Sequence, residues 1–331
     1  MKVLITGASG YLGSMITYFL NQHPKVEKIY ALDIQKPKIL WQPNEKIIFI
    51  QKNLVDDWEK NIDEIDIIFH FAFWIRRPFW WFKLKKHLKE NSFGLEKVLN
   101  FAQIKKVKKI IALSSIAVYG ANKENNPQVP FKEDSALKEK EYLYGKEKIE
   151  MEKKLKDFSE KNKEIKIIVL RLATVTGPFA QKYFKKGGLL RFMKNFAPLI
   201  VLASDNSLRQ YVHEDDVCQA ILFWLENDPK NSFEVFNIAP SSFVYFKDIA
   251  KILGKKIIKV PYSFLKVIFS LCWWLSLGKI PTAPGSVNSY SFPIVVDGSK
   301  ITSYGFSYKY SALDAFLAEK GYFQNLFSPN S

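Results

Sequence analysis

The chain is poor in cysteine and in arginine. Of its 331 residues only Cys218 and Cys272 carry thiols. Two cysteines cannot build a disulfide framework, and neither stands in a metal-ligand spacing. No metal site is expected, and a reducing, cytoplasmic compartment fits. Arginine supplies only five of the 49 basic residues, at positions 76, 77, 171, 191 and 209. Nucleic-acid readers favour arginine, whose planar fork makes bidentate contacts with phosphates and base edges. The formal net charge of +16 is therefore a lysine background spread along the chain, and no nucleic-acid partner is expected. Long apolar runs are also missing. The most nearly uncharged stretch, VPYSFLKVIFSLCWWLSLG at 260–278, contains Lys266 and is borderline short for a bilayer span of about 20 residues. There is no internal repeat and no low-complexity linker. The run KVLIT starts at residue 2, which leaves no room ahead of it for a cleavable leader.

What the chain does contain is an alternation. KVLIT (2–6), KIYALD (28–33), KIIFI (46–50), DIIFHFA (66–72), KKIIALSS (108–115) and KIIVLRL (166–172) are short, β-branched and bounded by polar or turn residues, as buried strands are. Helical patterns fall between several of them, at 11–22, 88–106 and 139–161. This order predicts an α/β fold, a Rossmann-like doubly wound parallel sheet. After about residue 175, Gly, Pro and aromatics become frequent and helices such as 215–227 and 246–254 are set further apart. The expected division is a dinucleotide-binding domain over 1–175, with 212–240 returning to it, and a smaller substrate lobe from 176–211 and 241–331. That lobe would sit over the carboxyl edge of the sheet, where open α/β folds bind ligands.

Residues 6–13, TGASGYLG, place Gly7, Gly10 and Gly13 between the first strand and the first helix. Glycine permits the tight turn and lets the backbone approach a pyrophosphate, which the helix N-terminus then faces with free N–H groups. Asp33 ends the next strand 20 residues after Gly13. A carboxylate there accepts ribose hydroxyls and repels a 2′-phosphate, which favours NAD over NADP. Lys36 nearby is a counter-signal for NADP. A structural turn followed by a surface Asp is the plainer alternative.

TGASGYLG, HFA (70–72), SSIAVYG (114–120), YLYGK (142–146), LRLATVTGP (170–178) and RQYVHEDDV (209–217) occur in this order. Together they make the chain resemble the extended short-chain dehydrogenase/reductases, specifically the NAD-dependent epimerase/dehydratase enzymes, from residue 2 to about 240. VVDGSKITSYGF (295–306) is a weaker echo. The resemblance implies a cofactor site built from the glycine loop with Tyr11 and Leu12, from Asp33, from Asn53 and Leu54 in QKNLVDD, from Phe71 and Ala72 after the fourth strand, and from Asn91. The family more often has Asp where Asn53 stands. It also implies a catalytic serine, tyrosine and lysine, read here as Ser115, Tyr142 and Lys146. A phenol, with a pKa of about 10, is a poor base at pH 7, and an ammonium and a positive nicotinamide ring beside it favour the phenolate. Tyr142 would then take a proton from a substrate hydroxyl as hydride leaves to NAD, and return it on reduction. Tyr142 and Lys146 are four apart, so on a helix over 139–161 they share one face. Tyr144, two residues before Lys146, is expected to pack or line. Ser115 would hold the reacting oxygen; a strand-end capping serine is its plainer role, and Ser114 is read as structural.

Dehydratases and decarboxylases of the family carry Thr or Ser followed by acidic residues before the VYG, and here Ile116 and Ala117 occupy those places. Simple hydride chemistry remains: an epimerase, an isomerase by outcome, on a sugar or nucleotide sugar, or an oxidoreductase acting once on a hydrophobic or lipid-linked hydroxyl compound, similar to the 3β-hydroxysteroid dehydrogenase branch. A non-catalytic NAD-binding regulator is a third class. Arg209 matches a diphosphate-contacting arginine. Thr174 stands where the family often has Asn, and SVNSYSFPIVVDGSK lacks a second arginine, a gap that Lys185 and Lys186 would have to fill. A homodimer is expected. Two stretches depart from an ordinary sugar-nucleotide enzyme: FWIRRPFWWFKLKKHLK (73–89) and the run at 260–278, which hold five of the eight tryptophans. Three arrangements fit them: mutual burial as a roof over the site, a dimer or partner surface, or an interfacial patch giving peripheral membrane contact.

Overall fold

The computed structural model describes residues 1–184, 194 and 197–325. In chain order the first part contains β1 (Lys2–Thr6), α1 (Tyr11–Gln22), β2 (Lys28–Asp33), β3 (Ile47–Gln51), β4 (Ile67–His70), α2 (Trp81–Ile104), β5 (Lys109–Ser115), α3 (Leu143–Lys161), β6 (Lys166–Leu172) and β7 (Thr174–Thr176). The rest contains α4 (Pro178–Tyr183), β8 (Leu199–Leu202), β9 (Leu208–Arg209), β10 (Tyr211–His213), α5 (Glu214–Glu226), β11 (Phe233–Ile238), β12 (Val244–Tyr245), α6 (Phe246–Ile252), β13 (Lys256–Lys259), α7 (Tyr262–Leu275), α8 (Ser286–Ser291), α9 (Ser299–Thr302) and α10 (Ala312–Leu317).

Seven strands pair in the order β11-β6-β5-β4-β1-β2-β3, and every pairing is parallel. This is the Rossmann-like doubly wound sheet. The apolar runs of the inner strands are continuous because both their faces are covered; at the edge strand β3 only Ile47 is buried and Ile48 is exposed. Along β1, Val3 and Ile5 pack to one side with Met15 and Leu20 of α1 and Val217 and Ile221 of α5. Leu4 packs to the other side with Leu95 and Val98 of α2 and Leu155 of α3. The chain winds one way from β1 to β2 and the other way from β4 to β5. The switch point therefore lies between β1 and β4, where Thr6 is in register with His70, and such a crevice is where an open α/β sheet takes its ligand.

A buried ion pair ties β6 to α3. Arg171 Nη2 lies 2.6 Å from Glu152 Oε2, Arg171 also donates to the Tyr119 hydroxyl, and Ser114 Oγ donates to Glu152 at 2.5 Å. The lobe has a separate core in which Ile200, Leu202, Phe246, Leu265, Phe269 and Phe316 meet.

Two helices begin elsewhere than their apolar period suggests. α2 starts at Trp81 rather than 88, and none of its buried residues precedes Gly94. α3 starts at Leu143 rather than 139, because Glu139 Oε1 accepts the backbone N–H of both Glu141 and Tyr142 at 2.8 Å and holds the preceding residues in a turn.

Candidate active site

The turn after β1 is built around close backbone approaches. Gly7 has φ +72°, and a Cβ on it would stand 2.7 Å from the Ala72 nitrogen. A Cβ on Gly13 would stand 2.0 Å from the Gly7 oxygen. The helix after the turn has Gly10 as its N-cap and no side-chain cap, so its first N–H groups face the crevice unclaimed by any cap, as a bound pyrophosphate requires. Asp33 accepts the N–H of Ser9 at 2.9 Å and of Gln35 at 2.8 Å. Its carboxyl is raised from the ordinary value by burial, with those backbone donors pulling the other way. Tyr11 does not reach across the crevice; its hydroxyl donates to Glu214 at 2.5 Å. Glu214 also accepts the N–H groups of Phe179 and Ala180, and burial pushes its carboxyl up to about 7. The loop is thus pinned to the start of α5.

The wall beyond Ala72 is a chain of polar contacts. Asn91 Oδ1 accepts the Trp74 N–H at 2.7 Å, and its amide donates to Glu147 at 2.9 Å. Asn53 donates to Glu90 at 2.9 Å, and Leu54 packs against Gly94, where an added Cβ would come within 3.0 Å. Asn91 therefore joins the loop after β4 to α3. These residues fit a dinucleotide: a glycine cradle, an uncapped helix N-terminus and the Asp33 carboxylate at the end of β2 stand along one edge of the sheet.

The expectation that Tyr142 and Lys146 share a helical face does not hold. Tyr142 is the N-cap of α3, with φ −82° and ψ 109°, so helical spacing does not begin until the next residue. Lys146 is exposed and lines a second cavity of about 400 Å³ together with Asn91 and Glu147. The pair brought together instead is Tyr144 and Lys148. Tyr144 and Ser115 line the same cavity. Burial raises the Tyr144 phenol well above its ordinary range, and the Ser115 hydroxyl pulls it down. Lys148 is buried. Its Nζ donates to the Leu113 carbonyl at 2.7 Å and stands 3.6 Å from the Phe73 ring centroid and 5.9 Å from that of Tyr144. Burial drives its ammonium down to about 7. Gly145 makes this approach possible, since a Cβ there would meet the Ala117 oxygen at 2.8 Å. The sequence carries the Tyr-x-x-x-Lys spacing twice, at 142/146 and at 144/148. The signal that separates the two registers is the glycine directly after Tyr144.

Ser115, Tyr142 and Tyr144 all line one cavity of about 710 Å³, with Thr174 and Arg209. Tyr142 lies on its lobe side. Its backbone abuts Gly285, where a Cβ would come within 2.7 Å of the Tyr142 Cα. Burial raises its phenol and the Arg209 charge lowers it. Arg209 itself donates to the Ser289 carbonyl at 2.9 Å. Lys182 and Lys194 add two more cations to the wall, Ile116 and Ala117 give it apolar surface, and no carboxylate lines it among the described residues. Lys185 and Lys186 lie outside the described residues.

A profile of the family described as NAD dependent epimerase/dehydratase matches residues 3–239. The chain is 26% identical over 294 residues to a UDP-glucose 4-epimerase of Yersinia enterocolitica, covering 78% of this chain and 84% of that one. It is 25% identical over 274 residues to a dTDP-D-glucose 4,6-dehydratase of Dictyostelium discoideum, covering 76% of this chain and 61% of that one. Among solved structures it is similar to a UDP-glucuronic acid 4-epimerase from Bacillus cereus in complex with UDP-glucuronic acid and NAD, with a TM-score of 0.70, 21% identity and coverage of 99% of this chain and 100% of that one.

Proposed function

The chain belongs to the NAD-dependent epimerase/dehydratase family, and on that premise we propose that it epimerises a nucleotide-linked sugar, with Tyr144 as the acid/base, Ser115 holding the reacting hydroxyl and Lys148 setting the charge beside them. The observation that carries this reading is that Ser115 and Tyr144 both line the large cavity, with the buried Lys148 ammonium 5.9 Å from the Tyr144 ring centroid. NAD, when bound, supplies a hydride acceptor and a positively charged ring. Tyr144 removes the proton of the substrate hydroxyl and later returns it. Ser115 donates to the same oxygen and keeps it within reach of the phenol. Lys148, near its own midpoint at pH 7, offers Tyr144 a positive neighbour that favours the phenolate.

The electrostatics of the cavity support a substrate with a negatively charged portion, because Arg209, Lys182 and Lys194 line it and no carboxylate does among the described residues. The same composition disfavours dehydration. Expulsion of a hydroxyl needs a general acid, and Ile116 and Ala117 have no proton to give.

Turnover of UDP-glucose and UDP-glucuronic acid, read by product stereochemistry, tests the assignment. Tyr144→Phe should lower kcat by about 10²- to 10⁴-fold, the usual contribution of a positioned acid/base, while retaining NAD. Tyr142→Phe should change kcat by less than about tenfold and act mainly on KM. The opposite ranking of the two variants would sink the assignment.

A further inference from the structure

The two tryptophan-rich stretches are one surface. Phe79 packs on Trp273 at 6.0 Å and edge-on to Trp274 at 5.1 Å between ring centroids. Arg76 donates to the carbonyls of Gly278 and Lys279 at 3.1 and 3.0 Å. This contact joins the segment before α2 to the end of α7, but it buries only part of either. Along α7 the buried residues are Leu265, Phe269 and Trp273, a single stripe at four-residue spacing. Phe264, Val267, Leu271, Trp274 and Leu275 stand outside that stripe, with Trp274 62% and Leu275 84% exposed. The first turn of α2 adds Trp81, 72% exposed, beside Trp80 and Phe82. A contiguous face of this chemistry marks an interaction site.

Its charge identifies the partner. Residues 73–89 contain Arg76, Arg77, Lys83, Lys85, Lys86 and Lys89 and no Asp or Glu, and residues 260–285 contain Lys266 and Lys279 and again no acid. Trp and aliphatic side chains among cations are the composition of a surface lying at the headgroup level of an anionic bilayer, where the rings enter the interface and the lysine stems reach back to the phosphates. A second copy of this chain would set the same cations against one another. No helix among the described residues is long and apolar enough to cross a membrane. We propose that the surface formed by the start of α2 and the outer face of α7 docks this protein onto an anionic lipid bilayer. The chain that leaves this surface at Gly278 supplies Pro281, Ser286 and Ser289 to the wall of the large cavity, so the docked face and the cavity are built on one continuous segment.

Co-sedimentation of the full chain with vesicles tests this independently of any turnover. Wild-type protein should partition into phosphatidylglycerol-containing vesicles at low salt at least about tenfold better than into pure phosphatidylcholine vesicles, and the preference should shrink as salt is raised. Trp81→Glu with Leu275→Glu should remove at least about tenfold of that binding, with the melting temperature held because both side chains are exposed. Lys83→Glu with Lys85→Glu should weaken binding to the anionic vesicles and leave the residual binding to phosphatidylcholine unchanged. Absence of binding to anionic vesicles at low salt, or equal binding by the Trp81/Leu275 variant, overturns the proposal. So does light scattering that finds a dimer in the wild type and a monomer in that variant, with vesicle binding unchanged.

Discussion

The inner strands of the main sheet and helix α7 are both strongly apolar, and they meet opposite ends. Every residue of β4 is buried, and in β6 all but Lys166 are. In α7 only Leu265, Phe269 and Trp273 are buried among fourteen residues. Hydrophobicity alone does not decide between these outcomes. A parallel strand has two faces, and crossover helices cover both. A helix laid on the edge of a small lobe has one stripe to bury and must leave the rest facing outward. The sheet region therefore makes a closed core with paired polar groups inside it, and α7 makes a boundary.

The sharpest test of the closed region is Arg171→Ala. It leaves the Glu152 carboxylate buried without its partner and should lower unfolding free energy by about 3–5 kcal/mol in chemical denaturation. A loss under about 1 kcal/mol would mean that water reaches the pair and that the core is not closed. Next comes a paired experiment on α7. Leu265→Ala empties a fully buried site and should destabilise by about 2–5 kcal/mol, whereas Leu271→Ala on the outer face should cost less than about 0.5 kcal/mol. Similar losses at both positions would place a partner or a second layer over the outer face. The most gradual test is a pH slope from the sheet, spread over several pH units. His70 is buried at the end of β4, hydrogen-bonded to Thr6 Oγ1 at 3.0 Å, and burial lowers its imidazole from 6.5 to about 3. The unfolded chain takes up a proton there below pH 6.5 and the folded chain does not until about pH 3. Its share of the stability is therefore complete above pH 6.5 and lost as pH falls toward 3, at about 1.4 kcal/mol per unit. His70→Asn should flatten that part of the stability–pH curve; an unchanged slope would mean that the folded protein already accommodates the charged ring.

The same contrast separates what could be read from the chain and what could not. Six of the seven main-sheet strands stand out as apolar runs with turn residues on either side, and TGASGYLG marks the tight glycine turn between β1 and α1. β11, FEVFNI, was not legible, because Glu234 and Asn237 break its pattern. They do so for tertiary reasons: Glu234 accepts the Tyr304 hydroxyl at 2.8 Å, and Asn237 accepts that of Tyr119 at 2.8 Å. The start of α2 was hidden for the opposite reason, since its first turns bury nothing and so have no period to detect.

The candidate site shows the same limit at the scale of two residues. Tyrosine, lysine and serine at the spacings the family uses are present in the sequence, which made the family and its cofactor legible. Which tyrosine stands beside a buried lysine depends on where α3 begins, and that is set by Glu139 capping from upstream, by Gly285 pressing on Tyr142 from the lobe, and by Gly145 letting the helix close on Ala117. Composition and periodicity act along the chain and determine strands, turns and residue types. The register of one helical turn against a strand end is a contact between segments distant in sequence, and only the folded packing decides it.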